Sequence, residues 1–170
     1  MDLMKYLREV PDFPKPGIMF KDITPLLANP EVLAETIRRL IEIASSLEFD
    51  AILAAESRGF LFGAPMALVM KKPLIPLRKP GKLPWKTVNQ KYDLEYGSAE
   101  LQMHHDALQP GQKALLVDDV LATGGTMRAA DDLVRQVGAT SVGALFILEL
   151  GFLGGKKNLL PVPTYSLITI

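Results

Sequence analysis

The 170-residue chain contains no cysteine, which removes disulfide scaffolds, thiolate zinc sites and cysteine nucleophiles together. Histidine is nearly absent too, with two residues, and there is a single tryptophan. Net charge is missing: 19 Lys and Arg balance 19 Asp and Glu, whereas a dedicated duplex-binding protein carries a strong basic excess. Long apolar runs are missing as well. Val142–Leu148 is the longest comparable stretch, far short of the ~20 residues that cross a bilayer. The opening MDLMKYLREV mixes acids and bases through its apolar positions, unlike a secretory signal. Together these absences lead to the expectation of a cytoplasmic protein. What is present is globular: 48% apolar and 22% charged residues, the balance of one ordinary domain, able to bury about 70% of its unfolded surface without a disulfide or structural metal. The zero charge is unevenly built. Between Lys71 and Tyr92 stand seven bases (Lys71, Lys72, Arg78, Lys79, Lys82, Lys86, Lys91) and no acid, which leaves the rest of the chain at minus seven.

Along the chain, Asp2–Val10 reads as a short amphipathic helix stopped by Pro11. The next stretch, PDFPKPGIMFKDITPLL, has four prolines and one glycine and reads as an ordered loop or extended arm. Asn29-Pro30-Glu31 starts a helix, with an Asn cap, Pro at the first position and an acid in the first turn. Leu33, Ile37, Leu40, Ile41 and Ala44 continue it at helical spacing. From Asp50 onward short apolar runs (AILAA, PLIPL, KALLV, SVGALFILEL, TYSLI) are separated by candidate helices at 59–70 and 126–137. Near-continuous apolar strands alternating with helices indicate a parallel sheet covered on both faces. One α/β domain over 1–170, with an N-terminal extension, is the expected organisation.

The most informative segment is Leu115–Val137. A buried-looking strand runs into Asp118-Asp119, then a small-residue loop, then a helix whose Met127, Ala130, Leu133, Val134 and Val137 share a face before Gly138 stops it. Ala122–Thr126 lies where that helix's unpaired N–H groups emerge. Gly124 and Gly125 allow close approach of the backbone, and the Thr123 and Thr126 hydroxyls can donate, so the turn suits a phosphate. It is not a Walker A loop, because the Gly-Lys-Ser/Thr ending is missing. Two carboxylates just before the turn can accept hydrogen bonds from a vicinal diol or hold a metal's water shell. A ribose 5-phosphate satisfies both halves.

VDDVLATGGT resembles the binding signature for 5-phosphoribosyl 1-pyrophosphate (PRPP) of the type I phosphoribosyltransferases. Three more segments, PDFPKPGIMFKDITPLL (11–27), AESRGFLFG (55–63) and RKPGKLP with YDLEYGSAEL (78–84 and 92–101), resemble the adenine-using branch of that family, in order and spacing over nearly the whole chain. The resemblance implies the type I phosphoribosyltransferase fold: a mostly parallel central sheet flanked by helices, an N-terminal base-binding hood (1–30) and a mobile lid loop (79–97). It implies transfer of phosphoribosyl from PRPP to adenine, giving AMP and pyrophosphate, with Mg2+, in a homodimer. The adenine ring is expected against Phe20 and Leu150, its edge read by the backbone of Met19 and Lys21, where the family usually has arginine. Arg58, Arg78, Lys79 and Lys82 are expected on the pyrophosphate. Asp118, Asp119, Ala122, Thr123, Gly124, Gly125 and Thr126 are expected on the ribose 5-phosphate, with Asp118 and Asp119 also on the metal, through water. Glu95 matches the glutamate proposed to assist proton transfer at the purine N7, with Arg58 and Lys82 as its catalytic companions and Tyr96 as a lid residue. A non-proline cis peptide is expected at Glu56–Ser57, and Trp85 stands where relatives often have glycine.

His104 and His105 invite a metal reading, but neighbours on one strand point to opposite faces, so both are expected at the surface. Two alternatives stand beside adenine transfer. A transferase for hypoxanthine or xanthine keeps the loop, but PGIMFKDITPLL favours adenine. A PRPP-sensing regulator that binds nucleic acid would need either an appended helix-turn-helix, for which 170 residues leave no room, or the salt-dependent RNA binding of an attenuator.

Overall fold

Apolar runs without alternation are stable only where both faces of a sheet are covered, and the chain answers that demand with five such strands. The computed structural model describes residues 1–93 and 98–170, in two units, Met1–Arg39 and Leu40–Ile170.

In the first unit, a 3-10 turn over Leu3–Tyr6 is capped by Asp2, whose Oδ1 accepts from the Met4 N–H at 3.1 Å. Strand β1 (Arg8–Val10) then pairs antiparallel with β2 (Phe20–Asp22), Val10 opposite Phe20 and Glu9 opposite Lys21. The helix expected over Asp2–Val10 is therefore corrected to one 3-10 turn and a strand. Val10 precedes Pro11, whose ring pushes its neighbour toward extended backbone, and the pairing with β2 recruits the residues before it. The connecting arm is ordered: the Gly17 N–H donates to Asp12 Oδ1 at 2.7 Å, and Phe13 meets Phe20 edge to face with centroids 5.1 Å apart. Helix α1 (Thr24–Ala28) follows, Asp22 accepting from the Thr24 N–H and hydroxyl at 2.9 and 2.7 Å. Helix α2 (Pro30–Ala44) starts as expected, with Asn29 Oδ1 accepting from the N–H groups of Glu31 and Val32.

The second unit is built on a sheet of β3 (Ala51–Ala55), β4 (Leu74–Leu77), β7 (Lys113–Leu121), β8 (Thr140–Glu149) and β9 (Thr164–Thr169), in the order β4-β3-β7-β8-β9 and parallel throughout. Every residue of β3 is buried. Its alternate side chains serve opposite layers. Ile52 and Ala54 meet α3 (Gly59–Met70), where a Cβ at Gly63 would lie 2.7 Å from that of Ala54. Leu53 and Ala55 join the cluster of α4 (Gly125–Gln136) that includes Met127, Ala130, Leu133 and Val134. Both central helices thus fall within a residue of their expected bounds.

Part of the stretch expected as a lid is a strand. Thr87–Asp93 forms β5, antiparallel to β6 (Ser98–His104), with Asp93 in register with Ser98. Val88 and Tyr92 alternate toward the core, where Leu101 and Met103 are buried. That period of two outweighs the polar composition of the stretch. His105 is exposed, as expected, but His104 is only partly so: its Nε2 is buried with no hydrogen-bond partner among the described residues.

Candidate active site

All five strands of a parallel sheet end on one edge, and ligands of such sheets bind there, at the turns into the helices. Two turns of this chain converge on that edge. The first follows β3. Glu56–Ser57 is a cis peptide, as expected, and Arg58 occupies the N-cap of α3. Gly59 lets the helix meet β7 closely, since a Cβ there would lie 2.9 Å from the Val117 carbonyl and 3.1 Å from Asp118 Oδ1. Glu56 holds the Nε of Arg78 at 2.7 Å. Burial opposes ionisation of Glu56, but the bonds from Arg78 and from the Lys79 backbone outweigh it and hold the carboxyl below its usual range. The guanidinium of Arg78 also lies 5.9 Å from the centroid of the Phe60 ring.

The second turn follows β7, which runs through Asp118 and Asp119 to Leu121. Asp119 is almost wholly buried, and its Oδ2 lies 2.5 Å from Arg58 Nε. Its N–H donates to Asp118 Oδ1 at 2.9 Å. Burial, and then the neighbouring Asp119 carboxylate, push the Asp118 carboxyl well above the ordinary aspartate range. Beyond Leu121 the loop turns on Gly124, which has φ +85° and is the N-cap of α4 without any side-chain cap. Among the described residues no side chain caps the start of α4, the position at which a helix receives an anion. Asp118, Leu121 to Met127 and Phe146 line a cleft of about 70 Å3. The structure therefore brings Asp118, Ala122, Thr123, Gly124, Gly125 and Thr126 to one cleft, and the Asp119–Arg58 pair joins it to the first turn.

Other expected site residues are placed as follows. Lys79 and Lys82 are exposed on the segment after β4. Met19 is exposed before β2, Phe20 and Lys21 lie on it, and Lys21 pairs with Glu9. Leu150 follows β8 in the other unit, its N–H donating to the Leu121 carbonyl at 2.9 Å. Glu95 and Tyr96 lie outside the described residues.

Four supporting residues escape a reading of the sequence. Gly155, at the start of α5 (Gly155–Leu159), backs the loop so closely that a Cβ there would lie 2.3 Å from the Ala122 carbonyl, and its own carbonyl would lie 2.7 Å from a Cβ at Gly124. Asn158 donates its side-chain amide to the Thr123 carbonyl at 2.6 Å. Tyr92 leans on the loop from β5, its hydroxyl 3.4 Å from Thr126 Oγ1. Glu56 is the fourth. The paired glycines of GFLGGKK were the one available signal.

A parallel sheet with two carboxylates running into a glycine-turned helix is an arrangement suited to phosphorylated ribose. Comparison with known proteins agrees: residues 22–153 match the phosphoribosyl transferase domain family. The chain is 51% identical to the adenine phosphoribosyltransferase of Kosmotoga olearia, over 99% of both chains, and 51% identical to that of Thermobifida fusca, over 98% and 94%. The crystal structure of the Thermoanaerobacter pseudethanolicus adenine phosphoribosyltransferase superposes with a TM-score of 0.96 at 45% identity, covering 99% of this chain and 98% of that one. The Saccharomyces cerevisiae enzyme, solved with adenine and an iminoaltritol bisphosphate, superposes at 0.90 and 37%, covering 97% and 96%. The chain belongs to the adenine phosphoribosyltransferases of the phosphoribosyl transferase family.

Proposed function

We propose that the chain transfers the 5-phosphoribosyl group of PRPP to adenine, forming AMP and releasing pyrophosphate. The observation that carries this reading is the single cleft in which the bare N-terminus of α4 and the carboxyl group of Asp118 face the same space, with Asp119 tied to Arg58 beside it. A phosphate at one end and a ribose diol at the other are what that arrangement accepts.

Displacement at the ribose C1 develops oxocarbenium-like positive charge. The loop from Ala122 to Thr126 fixes the phosphate and the aspartates hold the diol, so C1 is positioned before reaction, and the nearby carboxylate opposes the growing charge. Arg58, Arg78, Lys79 and Lys82 are assigned to the departing pyrophosphate. Glu95 is assigned to proton transfer at the purine N7 and Tyr96 to covering the site. Met19, Phe20, Lys21 and Leu150 are assigned to adenine recognition.

Magnesium suits this donor set in one manner. The described residues contain no cluster of three or more His, Asp or Glu that could cage a metal, and a magnesium ion that keeps several waters and takes its other oxygens from a phosphorylated substrate needs no cage. Asp118 and Asp119 would hold such an ion through its waters. Bound there, it would neutralise charge on the pyrophosphate.

The homodimer rests on α3, whose Leu61, Leu68 and Val69 are 47%, 80% and 62% exposed, an apolar strip suited to a second copy of the chain. We place the reaction in the cytoplasm, since a polyanionic sugar phosphate does not cross a bilayer unaided.

The decisive assay supplies PRPP, magnesium and each purine in turn and measures nucleotide and pyrophosphate. AMP from adenine alone is the expected result, and nucleotide from hypoxanthine or guanine at equal efficiency overturns it. At Glu95, replacement by Gln is expected to lower kcat about a hundredfold or more, the usual size of a lost acid–base contribution. An unchanged single-turnover rate removes that role.

A further inference from the structure

We infer that Asp119 is a positioning residue for Arg58, and that the ribose end and the pyrophosphate end of the substrate bind cooperatively because the diol takes over the carboxylate that otherwise holds the arginine. The inference rests on the proposed phosphoribosyl transfer and adds a coupling within that site.

The two members of the pair are unequal. The Asp119 side chain is 5% exposed and that of Arg58 49% exposed, with Oδ2 and Nε 2.5 Å apart. Arg58 stands at the N-cap of α3, whereas Asp119 lies within β7. Pyrophosphate arriving alone has to draw the guanidinium toward itself, which leaves a nearly buried carboxylate short of its partner, and an uncompensated buried charge is strongly unfavourable. Ribose 5-phosphate arriving alone faces the opposite situation. Its hydroxyls take hydrogen bonds at Asp119, and the displaced partner is a half-exposed guanidinium that water solvates. With both present, each member has a new partner: hydroxyls on the carboxylate, and phosphoryl oxygens on the guanidinium, which pairs with them in two-pronged geometry.

The sign of this coupling is diagnostic. Two anions placed in neighbouring subsites repel, so electrostatics alone predicts that ribose 5-phosphate weakens pyrophosphate binding. Exchange of the Arg58–Asp119 pair predicts the reverse, and linkage requires the effect to be reciprocal.

The experiment is calorimetric titration of the full chain with magnesium pyrophosphate, at one magnesium concentration, alone and with saturating ribose 5-phosphate or 2-deoxyribose 5-phosphate. Ribose 5-phosphate is expected to tighten pyrophosphate about tenfold, within the usual range of coupling between sites. The deoxy sugar, which keeps the phosphate but lacks one hydroxyl, is expected to tighten it less. Asp119→Asn is expected to bind pyrophosphate alone more tightly than the parent chain and to lose the dependence on the sugar. Because the comparison of the two sugars uses the parent protein, it stands even where the variant folds poorly. Both ligands binding with no mutual effect, or with weakening, overturns the coupling. Failure of either ligand to bind the parent chain overturns the phosphoribosyl reading itself, and the coupling with it.

Discussion

Gly124 and Asp118 illustrate how much single positions carry in this cleft. Gly124 combines φ +85° with a carbonyl, that of Gly155, 2.7 Å from where its Cβ would be. Gly124→Ala therefore meets two obstacles, a left-handed backbone that disfavours L side chains by about 1–2 kcal/mol and a rigid neighbour. Denaturant titration is expected to show a loss of at least that size, with a rise in the KM for PRPP and a smaller change in that for adenine. Asp118 is expected to behave in the opposite way. Its folded pKa is raised, so between the ordinary aspartate value and the raised one the native state holds a proton that the unfolded state has lost. Stability falls as pH rises through that window, and the penalty is complete above it. Asp118→Asn is expected to raise Tm at neutral pH, by an increment that shrinks toward zero as the pH falls to the ordinary aspartate range, while activity drops. An increment independent of pH would mean that the carboxyl is not the source. Thr123-Gly124-Gly125-Thr126 was legible in the sequence because its logic is local. The Arg58–Asp119 and Glu56–Arg78 pairs were not, because partners far apart in the sequence share no pattern along the chain.

Helices α3 and α4 could be read almost to the residue, α4 from its apolar spacing and the glycine at 138, and both from their place between apolar strand runs. Two other elements could not. Arg8–Val10 fits a helical wheel, yet pairing with Phe20–Asp22 made it a strand, an outcome that depends on residues beyond the intervening arm. Thr87–Asp93 is basic and polar and reads as loop, yet its alternation, with Val88, Gln90 and Tyr92 turned inward, makes it a strand. The packing of α3 on β3 is the tightest test of the layer arrangement. Gly63→Ala places a methyl 2.7 Å from the Ala54 Cβ, and overpacking of this kind typically costs about 1–3 kcal/mol. Urea denaturation is expected to register that loss with little change in the m-value.

For the molecule as a whole, charge and apolar surface are distributed by function. A formal charge of zero describes no particular region: bases collect between 71 and 92, while Asp118, Asp119 and Glu149 are buried or partly so. A polyanionic sugar with an associated cation calls for both signs in one place, and an average over the chain conceals it. The apolar strip on α3 bears on assembly. Leu68→Glu, at a position 80% exposed, is expected to leave the fold intact by circular dichroism and to shift the proposed dimer toward monomer in sedimentation. A dimer that survives the charge places the contact elsewhere.

The close backing of the phosphate loop by Gly155 and Asn158 also has a meaning in time. A ribosome delivers Ala122–Thr126 well before it delivers the residues that give those five their shape. A nascent chain that has just exposed the loop holds every residue assigned to the phosphate and still lacks the backing that shapes the proposed site. Ribose 5-phosphate is expected to protect the loop from proteolysis only in chains that extend past Asn158, so that substrate selects, among partly made molecules, those whose C-terminal helix has already arrived.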